Sequence, residues 1–279
     1  MIEILKLTLD YTFKKIFANN KDILIDLINS VLEFKPPCNI KTLEIKNPEI
    51  LPEDILKKRI VLDIVAFDNL MRQYDIEMQA DQYKTYPDRA SFYLSRLFGS
   101  QLERGEDYSL IAPSFGLHFL NYTQYPKYPN DFHYKFSLRE DKYHDLVLCD
   151  KISLHLLELP KVTEAIYQKS SKNEWLYFLR NAHKEKEETM HEKYKNPSIH
   201  KAYGILNSIS TLSEEQVRAR SREKAIVAHK LEMHHMLQKG IEEGLENALR
   251  KIEKNMKAIG ISEAQLAKII EINRAESNN

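Results

Sequence analysis

Two runs of alternating residues, 60-IVLDIVAF-67 and 73-QYDIEMQA-80, sit on either side of the short turn 68-DNLMR-72. A period of two in both runs is the mark of pleated strands, and a connection of this length suits a hairpin. Each run also carries an acid where a core strand favours valine: Asp63 in the first and Glu77 in the second. Val61, Asp63, Val65 and Phe67 share one face of the first run; Asp75, Glu77 and Gln79 share one face of the second. In one register among several, which follows from a common loop length, the loop centres on Leu70 and Asp63 lies directly opposite Glu77. Opposed side chains have Cβ atoms about 4.5–5.5 Å apart, and like charges there are destabilising. A hard divalent cation between the two reverses the sign, because Mg²⁺ commonly uses one or two carboxylates together with phosphate oxygens. Solvated acids on an open sheet face are the competing reading. The apolar neighbours of Asp63 tell against it, since a buried carboxylate needs a partner.

The surrounding chain frames this hairpin. Steps of three and four among Phe13, Ile16, Phe17, Ile23, Leu24, Leu27, Ile28 and Val31 predict one or two amphipathic helices over 10–34, broken near 19-NNKD-22 and stopped by 36-PP-37. A short strand is expected in 41–50, a helix over 88–105 with Gly105 as its stop, and strands over 108–122, 132–140 and 151–159. From about Thr163 helical spacing dominates, and composition places a soft boundary near 185–200. Residues 213–260 read as a polar helix with a thin apolar stripe, and 255–272 as a two-helix piece turning at Gly260 and Ser262, similar in length to a helix-turn-helix. This order of elements predicts an α/β core with a mixed sheet.

Composition excludes several classes. Glycine is scarce, at 7 of 279 residues, and neither GxGxxG nor GxxxxGK[ST] occurs, against a glycine-cradled nucleotide site. Lys+Arg and Asp+Glu are equal at 41 each, so contact with nucleic acid must come from local patches. Cys38 and Cys149 match no metal or redox spacing. His229 and His234 are five apart, not four as in HExxH, and His118, His133, His144 and His155 lie in separate elements, so structural roles are expected for the histidines. The N-terminal stretch lacks the apolar segment and cleavage site of a signal peptide, and no run of about 18 apolar residues occurs. A cytoplasmic protein without a membrane span is the expectation.

Taken together, 9-LDYTFKKIF-17, 61-VLDIVAFD-68, 76-IEMQ-79, 89-RASFYLSRLFGSQLERGEDY-108 and 222-REKAIVAHK-230 resemble the Rpn family of recombination-promoting nucleases and transposases, within the PD-(D/E)xK nuclease superfamily. The tail 240-GIEEGLENALRK-251 with 258-AIGISEAQLAKI-269 resembles that family's C-terminal end. The resemblance implies a restriction-endonuclease-like core over 1–190 and a helical C-terminal region over 191–279. It implies a metal-dependent DNA endonuclease linked to recombination or mobile elements, with Mg²⁺ or Mn²⁺ as cofactor. Asp63 and Glu77 would be catalytic residues and metal ligands, and Asp10 a further, water-mediated ligand. Gln79 takes the place where the superfamily name puts lysine. An amide carries no positive charge and is no base at ordinary pH, but it can orient a water. DNA is the implied partner, and cutting both strands with one site per chain would suggest a homodimer.

Two other classes stay open from the residues. Gln79 and the neutral charge balance fit a catalytically degenerate nuclease fold that binds DNA or partners. The long polar helices after residue 200 fit an assembly protein. Asp10 and Lys14 also read as a surface i, i+4 ion pair. Arg89 and Arg96 could meet phosphates or solvent, Tyr93 reads as core, and the basic run 218-RARSREK-224 reads as a solvated helix face or a DNA contact.

Overall fold

A computed structural model describes residues 3–46, 49–50, 60–61 and 63–258. The N-terminal periodicity forms two helices, α1 (Asp10–Phe17) and α2 (Lys21–Leu32), each burying the predicted apolar stripe. A six-stranded sheet follows, built from β1 (Leu43–Lys46), β4 (Ile64–Asp68), β5 (Gln73–Gln79), β6 (Ser114–Leu120), β7 (His133–Arg139) and β8 (Val147–Glu158), in spatial order β1-β4-β5-β6-β8-β7. A separate small ribbon pairs β2 (Glu49–Ile50) with β3 (Ile60–Val61).

The sheet is mixed, as expected. β1, β4 and β5 are antiparallel, whereas β5, β6 and β8 run parallel, and β7 returns antiparallel at the edge. The parallel pair β5–β6 needs a crossover, which α3 (Tyr86–Gly99) supplies. All seven residues of β5 are buried, as a central strand covered on both faces must be. On one face Tyr86, Ala90 and Leu94 of α3 pack on Leu120, Leu154 and Leu156. On the other, Phe13 of α1 meets Phe119, and Phe17 meets Trp175 of α4 (Ser171–Asn181) edge-on.

Several expected boundaries move, each for a local reason. α3 stops at Gly99, where the Ser100 hydroxyl donates to the Leu97 carbonyl, and Gly105, at φ +94°, serves the turn beyond it. Tyr108–Leu110 forms a single 3-10 turn under the Asp107 carboxylate, so the strand expected over 108–122 begins only at Ser114. The first run of the hairpin is not one strand: Ile60–Val61 joins the ribbon and β4 starts at Ile64. Asp63 lies at the bend between them.

The chain divides into two compact units, Met1–Glu223 and Lys224–Asn279. The first thus takes in α4, α5 (Glu187–Lys193) and α6 (Pro197–Ser210), beyond the compositional boundary near 185–200. The reason is burial: Ile199, Ala202, Tyr203 and Leu206 of α6 all sit in the core. The last helix, α7 (Ser213–Ala258), is as polar as expected, and Val227, Leu231, Leu237, Ile241 and Leu245 are exposed along it. The turn expected at Gly260 and Ser262 lies outside the described residues. Among the described residues no helix is long and apolar enough to cross a membrane.

Candidate active site

The hairpin register is the one the loop length predicts: Ile64 pairs with Ile76, Val65 with Asp75, Ala66 with Tyr74 and Phe67 with Gln73. Asp68 fixes it. Its Oδ1 accepts from the Leu70 and Arg72 amides (2.8 and 3.0 Å), and its Oδ2 accepts from Arg72 Nε (2.5 Å) and the Tyr74 hydroxyl (2.9 Å). Four donors on one buried carboxylate tie the loop to the first residues of β5. A slip by one residue would turn every β5 side chain to the opposite face.

One step past the Ile64–Ile76 pair, the two expected acids meet. The Asp63 amide donates to Glu77 Oε1 (3.2 Å), and the Met78 amide donates to Asp63 Oδ2 (3.0 Å). The bend at Asp63 therefore has a cause: its N–H leaves the ladder for the Glu77 carboxylate. Gln79, on the same face of β5, donates through Nε2 to Glu77 Oε2 (2.7 Å). Asp63, Glu77 and Gln79 are thus brought together.

Cations approach this pair from two helices. Lys14 Nζ of α1 lies 2.9 Å from Asp63 Oδ1, and an Arg89 guanidinium nitrogen of α3 lies 3.7 Å from Glu77 Oε2. Arg89 sits over the rings of Tyr86 (5.3 Å) and Tyr93 (5.7 Å), so its aromatic neighbours hold the guanidinium in place. Tyr93 packs with Val65 and Leu97, as a core residue should. Asp10 does not join the acid pair directly. Its Oδ2 takes Arg222 of α7 (3.2 Å), while its charge still acts on Asp63.

Asp10 and Lys14 thus each engage a residue from another element. The basic run likewise folds back on the N-terminal segment: Arg218 donates to the Tyr11 hydroxyl (3.1 Å) and Arg220 lies 3.5 Å from Glu3. The sequence offered Lys14 only as a surface partner of Asp10 and Arg222 only as part of a basic run. Only the tertiary contacts select them.

Burial raises the Asp63 carboxyl above its ordinary range, and the Lys14 ammonium pulls it part of the way back. Glu77 is pushed well above its ordinary range, first by burial and then by the charges of Asp63 and Asp75, with Arg89 opposing. Behind them, His118 Nε2 lies 3.2 Å from Asp75 Oδ2, and its Nδ1 is 2.6 Å from the Tyr86 hydroxyl. With the ring N–H toward the carboxylate, Nδ1 accepts from the hydroxyl. His118 is therefore a buried structural histidine, in line with the sequence. Asp75 Oδ1 is buried without a hydrogen-bond partner among the described residues.

The donor set fits a hard divalent cation. Asp63 and Glu77 bring two carboxylates to one place, both raised chiefly by burial, and the charges of Asp63 and Asp75 add to the effect at Glu77. Among the described residues no three His, Cys, Asp or Glu side chains cluster as a metal cage. A two-carboxylate site is still adequate for an ion that keeps waters and takes substrate phosphate oxygens.

A helix-flanked mixed sheet, with an acid just before one strand meeting an acid–x–amide on its neighbour, is the arrangement that the PD-(D/E)xK resemblance implies. The family model of the PD-(D/E)XK nuclease family transposases matches residues 7–236, and the chain belongs to that family. This agrees with the likeness to the Rpn nucleases. No curated protein and no solved structure matches the chain.

Proposed function

We propose that the protein is a metal-dependent DNA endonuclease that hydrolyses phosphodiester bonds during recombination or transposition. The convergence of Asp63 and Glu77, each carboxylate tied to the other's strand, carries the reading. Asp63 and Glu77 would hold Mg²⁺ or Mn²⁺, with Asp10 adding charge from α1. Such an ion supplies a water of lowered pKa and neutralises the scissile phosphate. The chain's own groups do the rest. The two backbone hydrogen bonds hold the carboxylates in place, and the Gln79 amide fixes Glu77 and can orient a water. Arg89, 36% exposed and held by two aromatic rings, is available to a phosphate oxygen. A double-strand cut needs two such sites, so the reading includes a homodimer on DNA.

The test is cleavage of supercoiled plasmid with Mg²⁺ or Mn²⁺ by the parent protein and by Asp63→Ala. The variant should cut slower by about 100-fold or more. Equal cutting by both proteins refutes the site. A parent that binds DNA and takes up no metal is instead a degenerate nuclease fold.

A further inference from the structure

Negative charge gathers on a phosphodiester as it is hydrolysed, and a fixed cation nearby offsets it; the strand position where the resemblance implies a lysine holds a neutral amide. Gln79 is 9% exposed and spends a donor on Glu77 Oε2. The missing charge has to come from elsewhere or be absent.

We propose that Lys14, from helix α1, supplies the positive charge at the reacting phosphate that Gln79 cannot, a role that rests on the nuclease reading above. Lys14 Nζ is 2.9 Å from Asp63 Oδ1, closer than Arg89 comes to Glu77, at 3.7 Å. Its side chain is 33% exposed, against 13% for Asp63, so the ammonium stands between the buried carboxylate and the outside. α1 orients it: Phe13, Ile16 and Phe17 are fully buried, which anchors the helix and turns Lys14 toward the acids. The other candidates fit less well. Arg89 is held by Tyr86 and Tyr93, and Arg222 is paired with Asp10. An ammonium on a flexible stem can leave Asp63 for the next anion. In the nuclease reading that anion would be the substrate phosphate.

The chemical step balances without any proton from Lys14. A water oxygen forms a bond to phosphorus, the bond from phosphorus to the sugar oxygen breaks, the water gives up a proton and the leaving oxygen takes one from solvent. Lys14 keeps its charge throughout and offsets the negative charge gathered on the phosphoryl oxygens.

The experiment compares the parent with Lys14→Met, Lys14→Arg and the double variant Lys14→Met/Gln79→Lys. Plasmid cleavage is measured alongside Mn²⁺ affinity by calorimetry and thermal melting. Lys14→Met should lose about 100-fold in cleavage. It should bind Mn²⁺ at least as tightly as the parent, because the ammonium no longer competes for Asp63. Lys14→Arg should keep part of the activity, and returning a lysine to position 79 should recover at least about tenfold over Lys14→Met. Any of three results overturns the proposal: Lys14→Met cutting like the parent, Lys14→Met losing Mn²⁺ affinity together with cleavage, or no gain in the double variant. A parent that does not cut at all sinks the nuclease reading instead, and shows itself before any variant is made.

Discussion

Glu77→Gln should stabilise the protein while disabling it. The Glu77 carboxylate is 3% exposed and accepts from the Asp63 amide at Oε1 and from Gln79 at Oε2. A glutamine at 77 can keep its carbonyl toward the Asp63 N–H. Its new NH₂ then faces Gln79, whose amide turns over and accepts, so no hydrogen bond need be lost. What disappears is a buried charge beside Asp63 and Asp75, at the cost of a long contact to the half-exposed Arg89. Relief on the order of 1–3 kcal/mol is reasonable for a buried carboxylate held against like charges. At about 2–4 °C per kcal/mol for a unit of this size, the melting temperature at pH 8 should rise by roughly 2–12 °C.

The sign in pH follows from linkage. Glu77 is raised above its ordinary 4.5, so the unfolded chain releases this proton first as pH climbs. The parent therefore loses stability from about pH 4.5 up through the folded value, and the variant does not. The gap between the two should nearly close at pH 4 and be widest at pH 8. Saturating Mn²⁺ should reverse the order. At a thousandfold excess over its dissociation constant it adds about 4.1 kcal/mol to the parent, more than the variant's advantage, and nothing to a variant that cannot hold it. Differential scanning fluorimetry over pH, with and without Mn²⁺, reads all of this. A gap independent of pH, or a variant less stable than the parent at pH 8, refutes the picture of strained acids.

Asp68→Ala removes the acceptor of four donors and leaves Arg72, 7% exposed, without its charge partner; about 3–5 kcal/mol should be lost in denaturant titration, with plasmid cleavage falling as the register loosens. Gly116→Ala puts a Cβ 2.7 Å from Leu154 Cδ1 and 3.3 Å from His118 Nε2, so it should cost about 1–3 kcal/mol by the same titration. Trp175→Phe deletes the donor to Asp26 Oδ2 (2.7 Å), but Asn196 still serves that oxygen, which limits the loss to about 1–2 kcal/mol in melting experiments.

The hairpin, its register and the meeting of Asp63 with Glu77 were legible in the sequence because they are local. Alternation fixes the faces, loop length fixes the pairing, and neither needs knowledge of the rest of the chain. The partners of those acids were not legible, because they arrive from helices far along the sequence. Asp10 and Lys14 have the spacing of a simple surface pair, yet one is drawn to Arg222 and the other to Asp63. Nothing in an i, i+4 pattern distinguishes a side chain that stays on its own helix from one that reaches another element. The end of α3 was misplaced for a related reason. Gly105 is the stronger stop signal in isolation, but the Ser100 hydroxyl ends the helix six residues earlier.

The same contacts show how the fold holds two buried acids side by side. Asp63 has an ammonium at 2.9 Å, Glu77 a guanidinium at 3.7 Å and Asp10 another at 3.2 Å, on α1, α3 and α7 respectively. Lys14 and Arg222 are about a third or more exposed, so their pairs contribute little to stability and are easily drawn away, whereas Arg89 stays over its two rings. The acids by contrast are held by backbone hydrogen bonds that do not depend on the cations. In the nuclease reading, DNA phosphates would compete for the Lys14 and Arg222 cations, and the released carboxylates would gain affinity for a divalent ion. Metal and DNA should therefore bind cooperatively. Titrating Ca²⁺ with and without a short duplex would measure the coupling. Equal Ca²⁺ affinity in both titrations would refute the exchange and leave the three ion pairs as fixed parts of the fold.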